Sequence, residues 1–209
     1  MFITFEGIEG SGKTTQINLL VEWLRSRNLR VLVTREPGGT AIGDQIRHIL
    51  LHPAHTEMAA EAEILLFSAA RAQIVRQVIR PHLDDGWIVV CDRFADSTMA
   101  YQGYGQQLPL DALRQITNFA TGGLLPDITF YLDIAVETGL RRKAQTPEEW
   151  NRMEALALDF HHRVRAGYLT LVNEEPRRFR VVDAGRDTAT VQNDIRAGVG
   201  AAIGIVGLS

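Results

Sequence analysis

Residues Gly7-Ile8-Glu9-Gly10-Ser11-Gly12-Lys13-Thr14 complete a GxxxxGK[S/T] loop directly after the apolar run Phe2-Ile3-Thr4-Phe5. Such a loop grips the phosphates of a nucleoside triphosphate: its glycines let successive backbone N–H groups turn inward, the lysine (Lys13) reaches the β and γ phosphates, and the hydroxyl of Thr14 is offered to Mg²⁺. Thr14 and Thr15 open a helix whose positive end faces the anion. Glu9 is the odd member, because a carboxylate inside a phosphate cradle repels the ligand unless a cation or a sugar hydroxyl engages it. The alternative is a side chain turned outward to solvent.

Other residue types gather around this loop. Arg35, Arg47, Arg71 and Arg93 all fall near predicted strand ends or within reach of them, enough positive charge for a second anionic ligand beside the triphosphate. Phe67 and Arg71 stand four apart on a long predicted helix and so share a face. An aromatic plane beside a guanidinium suits stacking on a nucleobase and hydrogen bonding to its carbonyl edge; a core phenylalanine and a solvated arginine is the plainer reading. Ile88-Val89-Val90-Cys91-Asp92 resembles a strand whose terminal carboxylate organises Mg²⁺ and its waters. Arg93 follows at once, where it either neutralises two approaching phosphates or merely pairs with Asp92.

The elements that must position these groups alternate. Five β-rich runs are expected at Phe2 to Glu6, Arg30 to Thr34, Trp87 to Cys91, Ile128 to Asp133 and Phe179 to Val182. Helical periodicity is expected over Lys13 to Arg27, Ile42 to Leu51, Ala59 to Leu83, Leu110 to Ala120, Val136 to Ala144, Arg152 to Asn173 and Ala189 to Ala202. That alternation predicts an α/β fold of three layers, a five-stranded parallel sheet flanked by helices, in which ligands bind beyond the carboxyl ends of the strands. The 209 residues suit a single domain.

Composition narrows the class. A net charge of -3 argues against a nucleic-acid-coating protein. The lone Cys91 leaves no disulfide or zinc pattern, and His48 with His52 lacks a third ligand. No targeting segment or membrane span is read, which predicts a cytoplasmic protein. A GTPase would carry NKxD, which this chain lacks; a partitioning ATPase would carry an early lysine where Ile8 and Glu9 stand. A small phosphotransferase accommodates the remaining motifs, with a non-catalytic nucleotide switch as the alternative.

Thr34-Arg35-Glu36-Pro37-Gly38-Gly39-Thr40, Asp92-Arg93-Phe94, Ser97-Thr98-Met99-Ala100-Tyr101-Gln102-Gly103 and Pro126 to Asp133, together with the first loop, closely resemble bacterial thymidylate kinases. The match runs in the family's order and spacing from the first strand to about Asp183. The resemblance implies transfer of the γ-phosphoryl group of ATP, with Mg²⁺, to dTMP, giving dTDP and ADP in a homodimeric enzyme; another nucleoside monophosphate kinase is the same-class alternative. It implies that Phe67 stacks on thymine, that Arg71 reads its carbonyl edge, and that Arg47 and Arg93 hold the acceptor phosphate with Arg35 and Pro37 close by. Tyr101 would lie against the deoxyribose, Ser97, Thr98 and Gln102 would line the base pocket, and Glu9 would serve the sugar hydroxyl and the Mg²⁺ shell with Thr14 and Asp92. Some members of the family carry an arginine just after the acidic loop residue, where this chain has Gly10, and the others supply the cation from a lid; the resemblance therefore implies a lid over about 143–152, with Arg142 and Arg152 catalytic beside Lys13, Arg93 and Glu9.

Overall fold

A computed structural model of the protein describes residues 1–145 and 156–204. Five strands, β1 (Phe2–Glu6), β2 (Val31–Arg35), β3 (Ile88–Asp92), β4 (Ile128–Asp133) and β5 (Phe179–Asp183), form one parallel sheet in the order β2-β3-β1-β4-β5. The run Ile88-Val89-Val90-Cys91 is apolar at every position because a parallel sheet is covered on both faces. Ile3 and Phe5 point with Val90 and Phe130 into the larger core, while Phe2, Val89 and Cys91 pack on the opposite face against Ile74, Val75 and Ile79.

The chain runs from β1 outward to β2 and back to β3 on one side, then to β4 and β5 on the other. β1 is therefore the point where the winding reverses, and its carboxyl end, with that of β3, opens the crevice in which such sheets take ligands. Helices α1 (Lys13–Arg25), α2 (Ala41–Leu51), α3 (Ala60–Ile74) and α4 (Arg80–Asp84) flank the first half. Helices α6 (Leu110–Thr121), α7 (Val136–Lys143), α8 (Leu158–Glu174) and α9 (Thr188–Ile203) flank the second.

The five strands and the sheet class are as expected, with ends displaced by one residue at β2, β3 and β5. The helix expected as one piece over Ala59 to Leu83 is a continuous rod in which Val75–Ile79 is wound as a π-helix between α3 and α4. The last long helix but one starts at Leu158 rather than Arg152; position 152 lies outside the described residues, and 156 and 157 are not helical.

One element went unforeseen. Ala95–Thr98 forms a short helix, α5, that continues as a π-helical turn over Met99–Gly105. Its residues are almost all buried, so no polar face gives a 3.6-residue pattern, and it carries two glycines that propensity assigns to loops. Those glycines are contact points: a Cβ on Gly105 would lie 2.6 Å from the Phe160 ring. Gly167 of α8 meets Tyr104 at the same 2.6 Å. Only backbone-to-ring packing lets α8 lie close enough to reach the crevice.

Candidate active site

A cavity of about 850 Å³ opens at the carboxyl ends of β1, β2 and β3. The loop after β1 contributes Glu9, Gly10, Gly12, Lys13, Thr14 and Thr15; β2 and its loop contribute Arg35, Glu36 and Pro37; β3 contributes Asp92 and Arg93. From the helices come Arg47, Phe67, Arg71, Ser97, Thr98, Tyr101, Gln102 and Arg142. Convergence of these groups on one space is what the strand-end argument required.

The phosphate-loop end is built from backbone. Gly12 caps α1 in a left-handed conformation (φ 89°) with no side-chain cap, so the first N–H groups of the helix are left for an anion. Lys13 folds back over the loop, its Nζ donating to the carbonyl oxygens of Gly7 and Ile8 at 3.0 Å each and to Ser11 Oγ at 3.4 Å. Burial, reinforced by the charge of Arg93, pulls the Lys13 ammonium down to about 8. Gly10 (φ 68°) explains why the position after Glu9 carries no cation: a Cβ there would overlap the carbonyl of Gly139 in α7. Helix α7 thus docks backbone-to-backbone on the loop, a contact that leaves no room for a side chain at position 10.

Arg93 is the hub of the middle. It adopts φ 67°, a conformation that costs a non-glycine residue about 1–3 kcal/mol, and its N–H donates to the Phe5 carbonyl at 2.9 Å. One guanidinium nitrogen donates to Glu9 Oε1 and to Tyr101 Oη, both at 3.0 Å. The other donates to Ser97 Oγ at 3.2 Å and Tyr168 Oη at 3.3 Å. Arg93 pairs with Glu9 rather than with its neighbour Asp92, and Glu9 points inward rather than to solvent. Tyr101 also donates to Glu9 Oε1 at 2.6 Å. Burial opposes ionisation of Glu9, but Arg93, Lys13 and the Tyr101 hydroxyl together hold its carboxyl below the ordinary range. Glu9 Oε2 has no hydrogen-bond partner and lies 3.8 Å from Nδ1 of the buried, unpartnered His161.

Behind Arg93 stands Glu6, a fully buried carboxylate that the sequence reading passed over. Its Oε1 accepts from the Phe94 N–H at 2.8 Å, and its Oε2 accepts from Ser97 Oγ at 2.6 Å and Tyr168 Oη at 2.7 Å. Two of the three hydroxyls that contact Arg93, those of Ser97 and Tyr168, are therefore themselves held by Glu6. Burial and then the charge of Asp96 push Glu6 up to about 7. A carboxyl raised in this way keeps its proton in the folded chain while the unfolded chain, with an ordinary value of 4.5, has released it. Stability contributed at this site is accordingly lost as pH rises from about 4.5 to about 7. Glu6→Gln is expected to remove that slope: in urea unfolding, the variant should gain on the wild type by on the order of 3 kcal/mol across this window. Parallel stability curves would show that Glu6 is not titrating there.

At the far end, Phe67 and Arg71 line the cavity from α3, as their helical spacing predicted. Arg71 is 1% exposed, so it is not a solvated surface arginine. Its Nε donates to Glu36 at 2.8 Å and one terminal nitrogen to the Phe94 carbonyl at 3.3 Å, while Nη1 has no partner. Buried donors without partners are rare in folded proteins, and one lining a cavity is available to a ligand carbonyl. Arg47 donates to the Pro37 carbonyl at 2.9 Å and Arg35 lies 3.8 Å from Asp44, both on the cavity rim. Thr98 and Gln102 lie buried in its wall. Ser97 also lines it, but its hydroxyl is taken by Glu6, Tyr168 and Arg93, so it braces Arg93 rather than the base end.

Thr14 Oγ1 donates to Asp92 Oδ2 at 3.4 Å beside the phosphate loop. A hydroxyl and a carboxylate at this spot suit Mg²⁺, which takes hard oxygen donors and completes its shell from phosphates and water. Glu9 belongs instead to the Arg93–Tyr101 cluster. Arg142 donates to the Ala184 carbonyl at 3.1 Å and lines both the main cavity and a second one of about 590 Å³ between the phosphate loop and the segment after β5. Of the expected lid, 143–145 are described and lie at the end of α7; 146–152, including Arg152, lie outside the described residues. Among the described residues no cluster of three or more His, Cys, Asp or Glu is arranged to hold a metal, and His48, His52 and His55 contact one another through their rings.

Comparison with known proteins agrees with this geometry. Residues 5–195 match the family model described as thymidylate kinase. The chain is 54% identical over 209 residues to the thymidylate kinase of Roseiflexus castenholzii, covering 94% of this chain and 91% of that protein. It is 50% identical over 196 residues to that of Symbiobacterium thermophilum, covering 94% and 91%. Its structure is similar to the crystal structure of thymidylate kinase from Ehrlichia chaffeensis, with a TM-score of 0.79, 34% identity, and coverage of 95% of this chain and 98% of that one.

Proposed function

This chain belongs to the thymidylate kinase family, and from that premise we propose that it transfers the γ-phosphoryl group of ATP to dTMP, giving ADP and dTDP. The observation that carries the reading is a single cavity with Lys13 in the phosphate loop at one end, the Phe67–Arg71 pair at the other, and Arg93 between them. A donor triphosphate at the loop and an acceptor monophosphate lying toward α3 would meet at Arg93.

The chemistry asks little of a general base. A phosphate monoester has a second pKa near 6, so the attacking oxygen is largely ionised at neutral pH. The protein must place two polyanions in line and neutralise charge on the transferred group, the task to which Lys13, Arg93 and Arg47 are suited. Mg²⁺, when held by Thr14 and Asp92, would supply further neutralisation of the triphosphate. Phe67 offers a face for the thymine ring and the unpartnered Arg71 Nη1 a donor to its carbonyl edge. Tyr101, fastened to Glu9 and Arg93, leaves its ring against the sugar side, where a 2'-hydroxyl would crowd it. Arg142 and the segment 143–152, Arg152 included, are the lid that would close over the transferred group.

Two copies would pair through apolar side chains left exposed on neighbouring elements: Ile42 and Ile49 of α2, Leu65 of α3 and Phe119 of α6. None of the helices among the described residues is long and apolar enough to cross a membrane, and a cytoplasmic enzyme is the reading that fits its use of ATP.

A coupled ADP-release assay tests the proposal. Acceptor-dependent ADP is expected with dTMP, with kcat/KM at least about tenfold lower for dCMP and AMP, whose base edges leave a buried donor or acceptor unmatched, and for UMP, whose 2'-hydroxyl would crowd Tyr101. ADP release that does not depend on an acceptor would favour a nucleotide switch, and preference for another monophosphate would remove the thymine assignment.

A further inference from the structure

The base end of the cavity is backed by a buried carboxylate with no part in the chemistry above. Glu63, 1% exposed, lies on α3 four residues before Phe67 and eight before Arg71, so all three lie along one stripe of that helix. Its Oε1 accepts from Gln102 Nε2 at 2.8 Å and from Gln106 Nε2 at 2.8 Å. Gln102 is 2% exposed, sits on the π-helical turn after α5 and lines the cavity.

A primary amide carries its donor and its acceptor on the same carbon and can be turned either way; a carboxylate can only accept. Glu63 therefore selects the orientation in which the Gln102 NH₂ faces α3, which leaves the Gln102 carbonyl as the group presented to the cavity. Two amide donors meeting on one carboxylate oxygen are charge-assisted and hold that choice firmly.

We propose that Glu63 is a positioning residue for base specificity: it locks the Gln102 amide with its oxygen toward the pyrimidine, so that the site accepts a ring bearing N3–H and rejects one whose N3 is a lone pair. Thymine and uracil carry that N–H; cytosine turns a second acceptor toward the Gln102 oxygen and leaves both unpaired in a buried site. This rests on the reading of the cavity as the dTMP site. The division of labour follows from it: Arg71 reads a ring carbonyl, Phe67 takes the ring face, and Glu63, without touching substrate, decides what Gln102 can read.

Glu63→Gln tests this, because a glutamine at that position donates as well as accepts and no longer dictates which way Gln102 turns. The kcat/KM ratio of dTMP to dCMP is expected to fall at least about tenfold, with KM for dTMP raised, KM for ATP unchanged and the dTMP to dUMP ratio unchanged, since dUMP keeps the N3–H. A merely structural role would lower all acceptors together; an unaltered dTMP to dCMP ratio overturns the proposal. Should the variant not fold, N3-methyl-dTMP is titrated as a competitor of dTMP on the wild-type protein. Binding at least about tenfold weaker than dTMP is expected, and equal binding overturns the proposal. A wild-type protein that releases no ADP with dTMP would instead defeat the reading of the site as that of a dTMP kinase.

Discussion

Arg93→Ala is expected to lower kcat with ATP and dTMP by at least about a hundredfold, the order seen when one preorganised charge contact to a transition state is lost. Three losses coincide in that substitution. The guanidinium that would bridge the two phosphates disappears. Glu9, now held to Arg93 at 3.0 Å, loses the largest of the influences that keep its carboxyl low and is left with Lys13 and the Tyr101 hydroxyl against burial. Tyr101, Ser97 and Tyr168 lose the group that holds their hydroxyls in one arrangement. Affinity for ATP alone should change far less than kcat, because Lys13 and the backbone loop remain. Arg93→Lys restores charge but not a planar fork able to serve Glu9 and Tyr101 on one nitrogen and Ser97 and Tyr168 on the other, so it should stay at least about tenfold below wild type. Arg93→Gly is the control for backbone strain, since glycine accepts φ 67° without penalty. It should be folded and as inactive as the alanine variant. Turnover within about threefold of wild type in any of the three would remove Arg93 from the reaction.

Lys13→Ala is expected to cost at least about a hundredfold in turnover by a separate route. Lys13 is 8% exposed and its ammonium is held over the loop by two carbonyl oxygens, so the charge is in place before any ligand arrives. Preorganisation of that kind is what makes a buried charge effective on a developing phosphoryl charge. Apart from the Lys13 bonds the loop is held by its own backbone: Gly12 starts α1 whatever residue follows it, and Ser11 N–H donates to the Ile8 carbonyl. The variant should therefore fold, retain dTMP binding measured by calorimetry, and fail in kcat. Loss of dTMP binding equal to the loss of turnover would mean that Lys13 serves the architecture of the whole cavity rather than the transferred phosphate.

The double variant separates the two roles. Lys13 and Arg93 line the same cavity and feel one another electrostatically, Arg93 being a cause of the lowered Lys13 value. Residues that act on one transition state combine non-additively, so the double variant is expected to lose less than the product of the two single losses.

Much of this protein follows from short-range pattern. The glycine spacing of residues 7–14, the apolar runs that became β1, β3 and β4, and the four-residue step from Phe67 to Arg71 all act within a turn or a strand, where geometry is set by covalent reach and backbone periodicity. The same locality explains the exact agreement of β1 and β4 with expectation and the small displacement of the other strand ends. The α5 helix and its π-helical extension, by contrast, left no periodic trace, because burial on all sides removes the polar face that periodicity needs and its glycines serve contacts with α6 and α8.

Which residues line the cavity was readable in good part from side-chain type near the strand ends; which residues hold them was not. Glu6, Glu63 and Tyr168 sit outside the motifs, Glu36 sits inside one that says nothing of its partner, and the partners lie far along the chain: Tyr168 meets Glu6 across 162 positions, Gln102 meets Glu63 across 39 and Arg71 meets Glu36 across 35. A carboxylate's effect depends on whether folding buries it and which hydroxyl, amide or guanidinium it then meets, and neither is encoded in its neighbours. Residue type and spacing alone determined a phosphate-loop motif, a parallel sheet and the gathering of Arg35, Arg47, Arg71 and Arg93 on one cavity. Tertiary packing alone decided that Glu9 faces Arg93 rather than solvent, that Gly10 has no room for a cation, and that Arg71, Arg93 and Gln102 are each held by a buried acid, since these depend on contacts that exist only once distant segments share a core.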